Sequence, residues 1–391
     1  MRVITYDPML QLLYGHNVAV SSLLEREAHR RGFESVTFAH THLPQEAAIQ
    51  VCRRECTSAI YSQWHEHSPS TGLFMYARES FVIERDLDRL LGTSFLRSGD
   101  VVVMHTAMYE HLLGVLEWFS RCEVSIKLRL VFQFPPSGRG SKESRMGEIL
   151  AQYALSLWEQ CDRDVRFFTD NDELAQYLSS FSKVRFSVAP VALDFMDVGA
   201  VPTAHSSSRV GYSWVFPGEG RFEKGVDLLA PAWLSHQERF PDDVLFVDAS
   251  LFEGRLKGEF GSSEVNVRGF DGPMTGYSHF AHLSSADFVL APYSPVEYRV
   301  RTAHIPLEAL GMARPLVTTA GTWIARELES LPGKAGVCAS EWTANGLANA
   351  MAEARLGASE LGECARIVAP IVRDRCNVAR FFDALVLSSP S

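Results

Sequence analysis

Residues 297–304, EYRVRTAH, bring two arginines to the start of an apolar helical segment. Proline is tolerated in a helix only within the first turn, so Pro306 predicts that this helix begins near residues 302–305. The N–H groups of the first turn then point out of the helix end, where Arg299 or Arg301 adds positive charge. Such N–H groups and fixed cations bind phosphate, so the segment predicts an anion site.

Three further segments carry chemistry in a recurring order. Residues 218–229, GEGRFEKGVDLL, form a glycine-rich turn after a strand and place Lys224 at the mouth of a helix. ADFVLAPY follows at 286–293, and LEAL at 307–310 runs into RPLV at 314–317. Together these segments look like the donor-binding domain of GT-B glycosyltransferases, and they most resemble glycosyltransferase family four.

The resemblance implies a role for several residues of the second half. Lys224 and Arg221 would clamp the donor diphosphate, and both are expected to be catalytic because negative charge grows there as the sugar leaves. Glu308 would accept hydrogen bonds from the two ribose hydroxyls. Arg301 stands where the family commonly has a glutamate, which suggests a divergent member. The donor-binding residues implied here are Gly220, Arg221, Lys224, Gly225, Arg299, Arg301, Thr302 and Glu308.

The first half supplies weaker signals. Gly15 and His16 resemble the family's N-terminal glycine-rich loop, which approaches donor and acceptor closely. His105 follows a strand and stands where the family often places a histidine that touches the transferred sugar, so it is expected to be catalytic. Gln133 and Arg139 are the acceptor-side candidates.

The reaction implied by the resemblance is transfer of a sugar, with retention, from a nucleotide diphosphate sugar to a hydroxyl group. The acceptor would be a glycan, a lipid-linked molecule or a small molecule, with bacterial polysaccharide, glycolipid and natural-product glycosylation all open. No metal or other cofactor is implied.

Ordinary roles are open to each of these residues. Lys224 could be a surface lysine, and Glu308 could be a solvated carboxylate favoured by the helix dipole. His105 could be a core histidine whose hydrogen bonds are all made within the protein. His279, His282 and His304 are expected to be structural. Two other functions also stay open: a sugar-nucleotide epimerase of the same fold, and a catalytically silent protein that binds nucleotide sugars.

Short apolar runs alternate with helical segments along the whole chain, which predicts α/β domains with parallel sheets. The predicted architecture is GT-B, two Rossmann-like domains whose parallel sheets face one another across a cleft. The small, polar segment 198–208, VGAVPTAHSSS, predicts the domain boundary. The domains are then 1–200 on the acceptor side and 209–375 on the nucleotide-sugar side. A C-terminal helix at 376–391 could pack back on the first domain.

The predicted elements follow from periodicity. Strands are expected at 3–6, 36–39, 101–104, 128–134, 165–169, 186–191, 210–216, 244–247, 265–268, 288–291 and 316–319. Helices are expected at 18–31, 143–161, 172–181, from 226 onward, and at 276–284, 307–312, 344–355 and 379–387. Residues 43–94 read as helices interrupted at 68–72, so that Cys52 and Cys56 would share a helix face.

Composition excludes several classes of function. The chain has 391 residues, 46% of them apolar, and a net charge of −10, which is typical of a globular protein and argues against binding to nucleic acid. Seven scattered cysteines without a CxxC pair predict reduced thiols. No GxSxG, P-loop or GxGxxG motif supports a hydrolase, NTPase or dinucleotide-binding protein.

Metal and membrane signals are also weak. Asp162 and Asp164 match the letters of a metal-binding Asp-x-Asp, but they precede their strand instead of following one, which favours a solvated turn. The N-terminus does not read as a signal peptide, and no apolar run approaches the roughly 18 residues of a membrane span. We expect a cytoplasmic protein, with peripheral contact at the inner face of the membrane left open.

Overall fold

Each half of the chain contains strands that are buried along their whole length. Val101–Met104 is one of them, and Ser213–Phe216 and Phe288–Ala291 are two others. Strands of this kind occur where helices cover both faces of a parallel sheet. The computed structural model describes residues 1–12, 15–47, 49–50, 52–57, 69–136, 144–159, 163–195, 211–218, 220–260, 265–270 and 276–388. Within these residues every strand pair is parallel.

The chain divides into two compact units. The first unit comprises Met1–Ala192 together with Asn377–Ser391, and the second unit comprises Leu193–Cys376. The predicted boundary at 198–208 lies outside the described residues. Residues 193–195 nevertheless pack with the second unit, because a Cβ placed on Gly311 would lie 2.4 Å from the Phe195 ring.

The first unit is a sheet with the strand order β3-β2-β1-β4-β5-β6-β7 and helices between the strands. Its elements are β1 (Arg2–Asp7), α1 (His16–Arg30), β2 (Glu34–His40), β3 (Cys52–Cys56), α2 (Pro69–Leu90), β4 (Val101–Met104), α3 (Tyr109–Arg121), β5 (Lys127–Phe132), α4 (Ser144–Trp158), β6 (Val165–Thr169), α5 (Asp172–Ser179) and β7 (Phe186–Val188).

The second unit is a sheet with the strand order β10-β9-β8-β11-β12-β13. Its elements are β8 (Ser213–Phe216), a 3₁₀ turn (Phe222–Lys224), α6 (Val226–Arg239), β9 (Val244–Val247), α7 (Ala249–Leu251), a π turn (Phe252–Leu256), α8 (Lys257–Phe260), β10 (Val267–Gly269), α9 (Gly276–Ser285), β11 (Phe288–Ala291), α10 (His304–Gly311), β12 (Leu316–Thr319), α11 (Trp323–Ser330), β13 (Gly336–Ala339), α12 (Ala344–Leu356) and α13 (Ala358–Arg375).

The C-terminal residues return to the first unit as α14 (Val378–Phe382) and a second π turn (Asp383–Leu387). Phe382 is fully buried and stacks on Phe33 with ring centroids 5.8 Å apart. The buried guanidinium of Arg129 donates to the carbonyl of Leu385 at 2.9 Å and pairs with Asp164 at 2.8 Å. The first unit therefore closes its core with the last helix of the chain.

The prediction of helices over 43–94 is confirmed at Pro69–Leu90, where α2 lies, and is wrong at Cys52–Cys56. Cys52–Cys56 is an edge strand that pairs with β2, so the two cysteines lie on a strand and not on a helix. Its central residues, Arg53, Arg54 and Glu55, are charged, which suits an exposed sheet edge and removes the apolar signal of a strand. The predicted break at 68–72 is also wrong, because α2 begins at Pro69.

Several other elements went unpredicted. These are α3, α7, α8, α11, β13 and α13. Helix α13 continues through Pro370, although proline removes one helical hydrogen bond. None of the described helices is long and apolar enough to span a membrane.

Helix α10 ends in a Schellman motif. The N–H of Arg314 donates to the carbonyl of Ala309 at 2.9 Å, and the N–H of Ala313 donates to the carbonyl of Leu310 at 3.0 Å. This motif requires a left-handed residue after the helix, a position usually filled by glycine. Ala313 fills it here with a φ of 58°, and it is the one non-glycine residue of positive φ in the described part of the chain.

Candidate functional site

Both sheets have the strand order of Rossmann folds, with the order reversing between β1 and β4 and between β8 and β11. Ligands of such sheets bind beyond the carboxyl ends of the strands, where the order reverses. In the second unit this edge is formed by residues 217–218 and 220–225 after β8 and by residues 292–303 after β11. The N–H of Ser294 donates to the carbonyl of Glu223 at 2.9 Å and ties the two connections together.

Gly225 makes the close approach of these connections possible. Its φ is 81°, and a Cβ there would lie 2.3 Å from the carbonyl oxygen of Pro292. An L-residue would therefore be strained in its backbone and would collide with the next connection. The glycine at position 220 is explained by side-chain packing instead, because a Cβ there would lie 2.3 Å from Leu251 Cδ1.

Lys224 reaches the loop that follows β8. It ends the 3₁₀ turn Phe222–Lys224, directly before Gly225 and α6. A Cβ placed on Gly218 would lie 3.2 Å from Lys224 Nζ and 3.3 Å from Ile305 Cδ1. The ammonium group and the first turn of α10 therefore share the space above Gly218.

Glu308 lies on α10, which begins at His304 with Pro306 in its first turn. The residue is 8% exposed, and Oε2 lies 2.8 Å from Nε2 of His279 on α9. Burial acts to raise the pKa of Glu308. The charge and hydrogen bond of His279, together with the charge of His304, outweigh burial and hold this pKa below its usual value. The carboxylate is therefore ionised at neutral pH.

Arginines gather around two stacked tyrosines at the same edge. The rings of Tyr293 and Tyr298 are 4.3 Å apart, and the Arg301 guanidinium lies 4.7 Å from the centre of the Tyr298 ring. Burial raises the pKa of Tyr293, Tyr298 adds to the rise, and the charges of Arg221 and Arg301 oppose it. The negative charge of Glu308 also contributes to raising this pKa.

The remaining donor candidates of the second unit lie in the same connections. Arg221 precedes the 3₁₀ turn, and its guanidinium lies 3.3 Å from a carboxylate oxygen of Glu223. Thr302 is buried just before α10. Arg299 is exposed, and its backbone carbonyl accepts a hydrogen bond from Arg326.

In the first unit the reversal point carries a buried polar network. His105 follows β4 and is fully buried. Its Nε2 lies 2.8 Å from Ser21 Oγ and 3.2 Å from Asp7 Oδ2, while Nδ1 lies 3.1 Å from Thr106 Oγ1. Asn17 Nδ2 donates to Asp7 Oδ2 at 3.0 Å. His105 is thus at the carboxyl end of its strand, as predicted, with both ring nitrogens within hydrogen-bond distance of protein oxygens.

The other candidates of the first unit are placed differently. Gly15 is exposed and caps α1 with a φ of 92°, and His16 is the first residue of that helix. Gln133 is 9% exposed and donates from Nε2 to the carbonyl of His105 at 3.0 Å, so it supports the histidine backbone. Arg139 lies outside the described residues.

Sequence reasoning missed Asp7, Ser21 and His279 as members of these sites. Asp7 ends the first strand, and that position alone was an available signal. His279 is 29 residues from Glu308, and no spacing rule connects the two. Within the described ranges, no group of three or more histidine, cysteine, aspartate or glutamate side chains could hold a metal ion. Asp164 pairs with Arg129 before β6, whereas Asp162 lies outside those ranges.

No protein-family model matches the sequence, and a search of curated proteins finds no match. Solved structures do match over the whole length. Sucrose-phosphate synthase from Thermosynechococcus elongatus is 14% identical with a TM-score of 0.65, covering 99% of this chain and 97% of that one. A trehalose-6-phosphate synthase, studied for glycosyltransfer with retention, is 13% identical with a TM-score of 0.66 and full coverage of both chains. Anabaena HepE, in complex with UDP and glucose, is 14% identical with a TM-score of 0.63 and full coverage of both.

These likenesses confirm the predicted fold. The chain has two Rossmann-like units with parallel sheets, of seven and six strands, and this is the GT-B fold. The narrower assignment to family four remains a prediction.

Proposed function

We propose that this chain is a glycosyltransferase that moves a sugar from a nucleotide diphosphate sugar to a hydroxyl group, with retention at the anomeric carbon. One observation carries the proposal: Lys224 Nζ and Ile305 in the first turn of α10 both lie beside Gly218 at the carboxyl edge of the second sheet, and Glu308 follows one turn further along α10. Solved relatives of the same fold support it, one in complex with UDP and glucose and one studied for transfer with retention.

The diphosphate of the donor binds to the cationic part of this edge. Lys224 contributes an ammonium group and Arg221 a guanidinium group. Ala303 at the N-cap of α10 has no side-chain oxygen to cap the helix, which suits an external anion at its first-turn N–H groups. Positive charge from protein side chains stabilises the negative charge of the leaving group, so the proposal requires no metal.

The ribose of the donor binds to Glu308. A carboxylate that stays ionised can accept hydrogen bonds from two adjacent hydroxyl groups. The low pKa of Glu308 favours this state at neutral pH, even though the side chain is nearly buried.

Lys224 and Arg221 lower the barrier of the reaction. The bond between the anomeric carbon and the diphosphate oxygen breaks, a bond to the acceptor oxygen forms, and the proton of the acceptor hydroxyl passes to the departing diphosphate. Negative charge then develops on the diphosphate, where cations already in place stabilise it without reorganisation. Contacts of Gly15, His16 and His105 with the sugar, and of Gln133 and Arg139 with the acceptor, stay predictions.

The test is Lys224→Ala, assayed for release of nucleoside diphosphate across a panel of UDP-, GDP-, TDP- and CDP-sugars with hydroxyl acceptors. Loss of one preorganised contact lowers kcat about 100- to 1000-fold. Lys257→Ala is the matched control, because Lys257 is an exposed lysine at the start of α8 that pairs with Glu253. Undiminished turnover by the Lys224 variant would refute its role.

Binding measurements separate the alternatives. A nucleotide at 100 times its Kd stabilises the protein by about 2.7 kcal/mol, which a thermal melt detects. Nucleotide binding without turnover would favour a catalytically silent binding protein. Release of isomerised nucleotide sugar, with no glycoside formed, would favour an epimerase.

A further inference from the structure

His279 and Glu308 form a hydrogen-bonded pair that joins two helices. His279 lies on α9 and Glu308 on α10, and Nε2 lies 2.8 Å from Oε2. Their side chains are 17% and 11% exposed. At this distance and burial, a hydrogen bond fixes both side chains more firmly than a pair at the surface.

Only one oxygen of Glu308 is taken by this contact. Nε2 must carry a proton to donate to a carboxylate, so the pair assigns His279 a tautomer or charge state with hydrogen on Nε2. Among the described residues, the other oxygen, Oε1, keeps its acceptor sites for a ligand. His304 in the first turn of α10 adds a second imidazole whose charge favours the carboxylate.

We propose that His279 is a positioning residue for the donor. By donating to Oε2, it holds the Glu308 carboxylate in the rotamer that accepts the ribose hydroxyls. This inference rests on the proposed function, since it needs a nucleotide at Glu308. His279 itself touches neither the sugar nor the diphosphate, so its loss raises KM and leaves kcat nearly unchanged.

The experiment compares binding of UDP and GDP with their 2′,3′-dideoxy counterparts by calorimetry. We expect His279→Ala to weaken binding of the better ribonucleotide about tenfold, the effect of one charge-assisted hydrogen bond. Binding of the matching dideoxynucleotide, which lacks both hydroxyls, should not change. His279→Gln, whose amide nitrogen can donate, should recover part of the loss.

His282→Ala is the matched control. His282 lies one turn further along α9, where its ring packs on Phe270 with centroids 3.8 Å apart. This variant should lower thermal stability, but it should not change ribonucleotide binding relative to dideoxynucleotide binding. His279→Phe keeps the ring and removes the donor, so it replaces the alanine variant should that variant fail to fold.

A double mutant tests whether His279 acts through Glu308. In a Glu308→Gln background, His279→Ala should produce no further loss of ribonucleotide binding. Equal loss of ribo- and dideoxynucleotide binding, or no loss of either, would overturn the positioning role while leaving the proposed function in place. Failure of the unmodified protein to bind any nucleoside diphosphate would overturn both.

Discussion

Glu110 is a buried carboxyl group whose ionisation should oppose folding. It lies on α3, is 8% exposed, and its Oε2 has no hydrogen-bond partner among the residues that the structure describes. Helices α2 and α3 pack so closely here that a Cβ on Gly114 would lie 1.9 Å from the carbonyl oxygen of Ser80. Burial, with a contribution from the Glu79 carboxylate, raises the pKa of Glu110 to about 7.

The size of the effect follows from this pKa. A carboxyl group in the unfolded chain has a pKa near 4.5, so the folded protein holds the proton more tightly. The resulting stability is present below pH 4.5 and is lost as the pH rises through 7. At 1.36 kcal/mol for each pH unit, the loss above pH 7 is about 3 kcal/mol. Glu110→Gln cannot ionise, so it should be more stable than the parent at pH 8 by up to about this amount.

The assay is urea unfolding at pH 5 and pH 8, followed by circular dichroism. Relative to the parent protein, Glu110→Gln should gain about 2.5 kcal/mol of stability between pH 5 and pH 8. The variant is compared with the parent at each pH because burial also lowers the pKa of His111 from 6.5 to about 3, so both proteins lose stability as the pH falls below about 6.5. Glu117→Gln, an exposed substitution on the same helix, is the control. A variant with the pH dependence of the parent would show that Glu110 is solvated or paired in the folded state.

Two predictions concern backbone geometry. Ala313→Gly should raise stability by about 1 kcal/mol, because glycine adopts the left-handed conformation at the end of α10 without steric cost. Its control, Ala281→Gly in the exposed interior of α9, should lower stability by a similar amount, and an equal response of the two in thermal melts would contradict the reasoning. Gly225→Ala should cost about 3 kcal/mol or more and abolish nucleotide binding, because its Cβ meets Pro292. Gly254→Ala, with open space around the new Cβ, should be tolerated, and a Gly225 variant that melts and binds like the parent would refute the clash.

Much of the fold could be predicted because its signals are local. Continuous apolar runs such as Val101–Met104 and Phe288–Ala291 predict buried parallel strands from their own side chains. Pro306 restricts the start of its helix to 302–305, and the helix begins at His304. In the same way, Gly225 after Lys224 predicts a turn before α6, because glycine readily adopts the backbone conformation that such a turn requires.

Other features depend on partners that are distant in sequence. The edge strand β3 takes its conformation from pairing with β2, and its charged residues conceal it. The order of the strands places Asp7 beside His105, which is 98 positions later in the sequence, and both residues are buried. His105 was expected to touch the sugar, but its ring lies within hydrogen-bond distance of protein groups instead.

The sequence by itself determined two α/β units and predicted an anion site at one edge of the second, because these follow from periodicity and turn chemistry. Only the tertiary structure decided that His279 holds Glu308, since the packing of α9 against α10 brings those side chains within 2.8 Å. Contacts of this kind depend on how helices and strands are ordered in space, and short-range sequence patterns do not record that order.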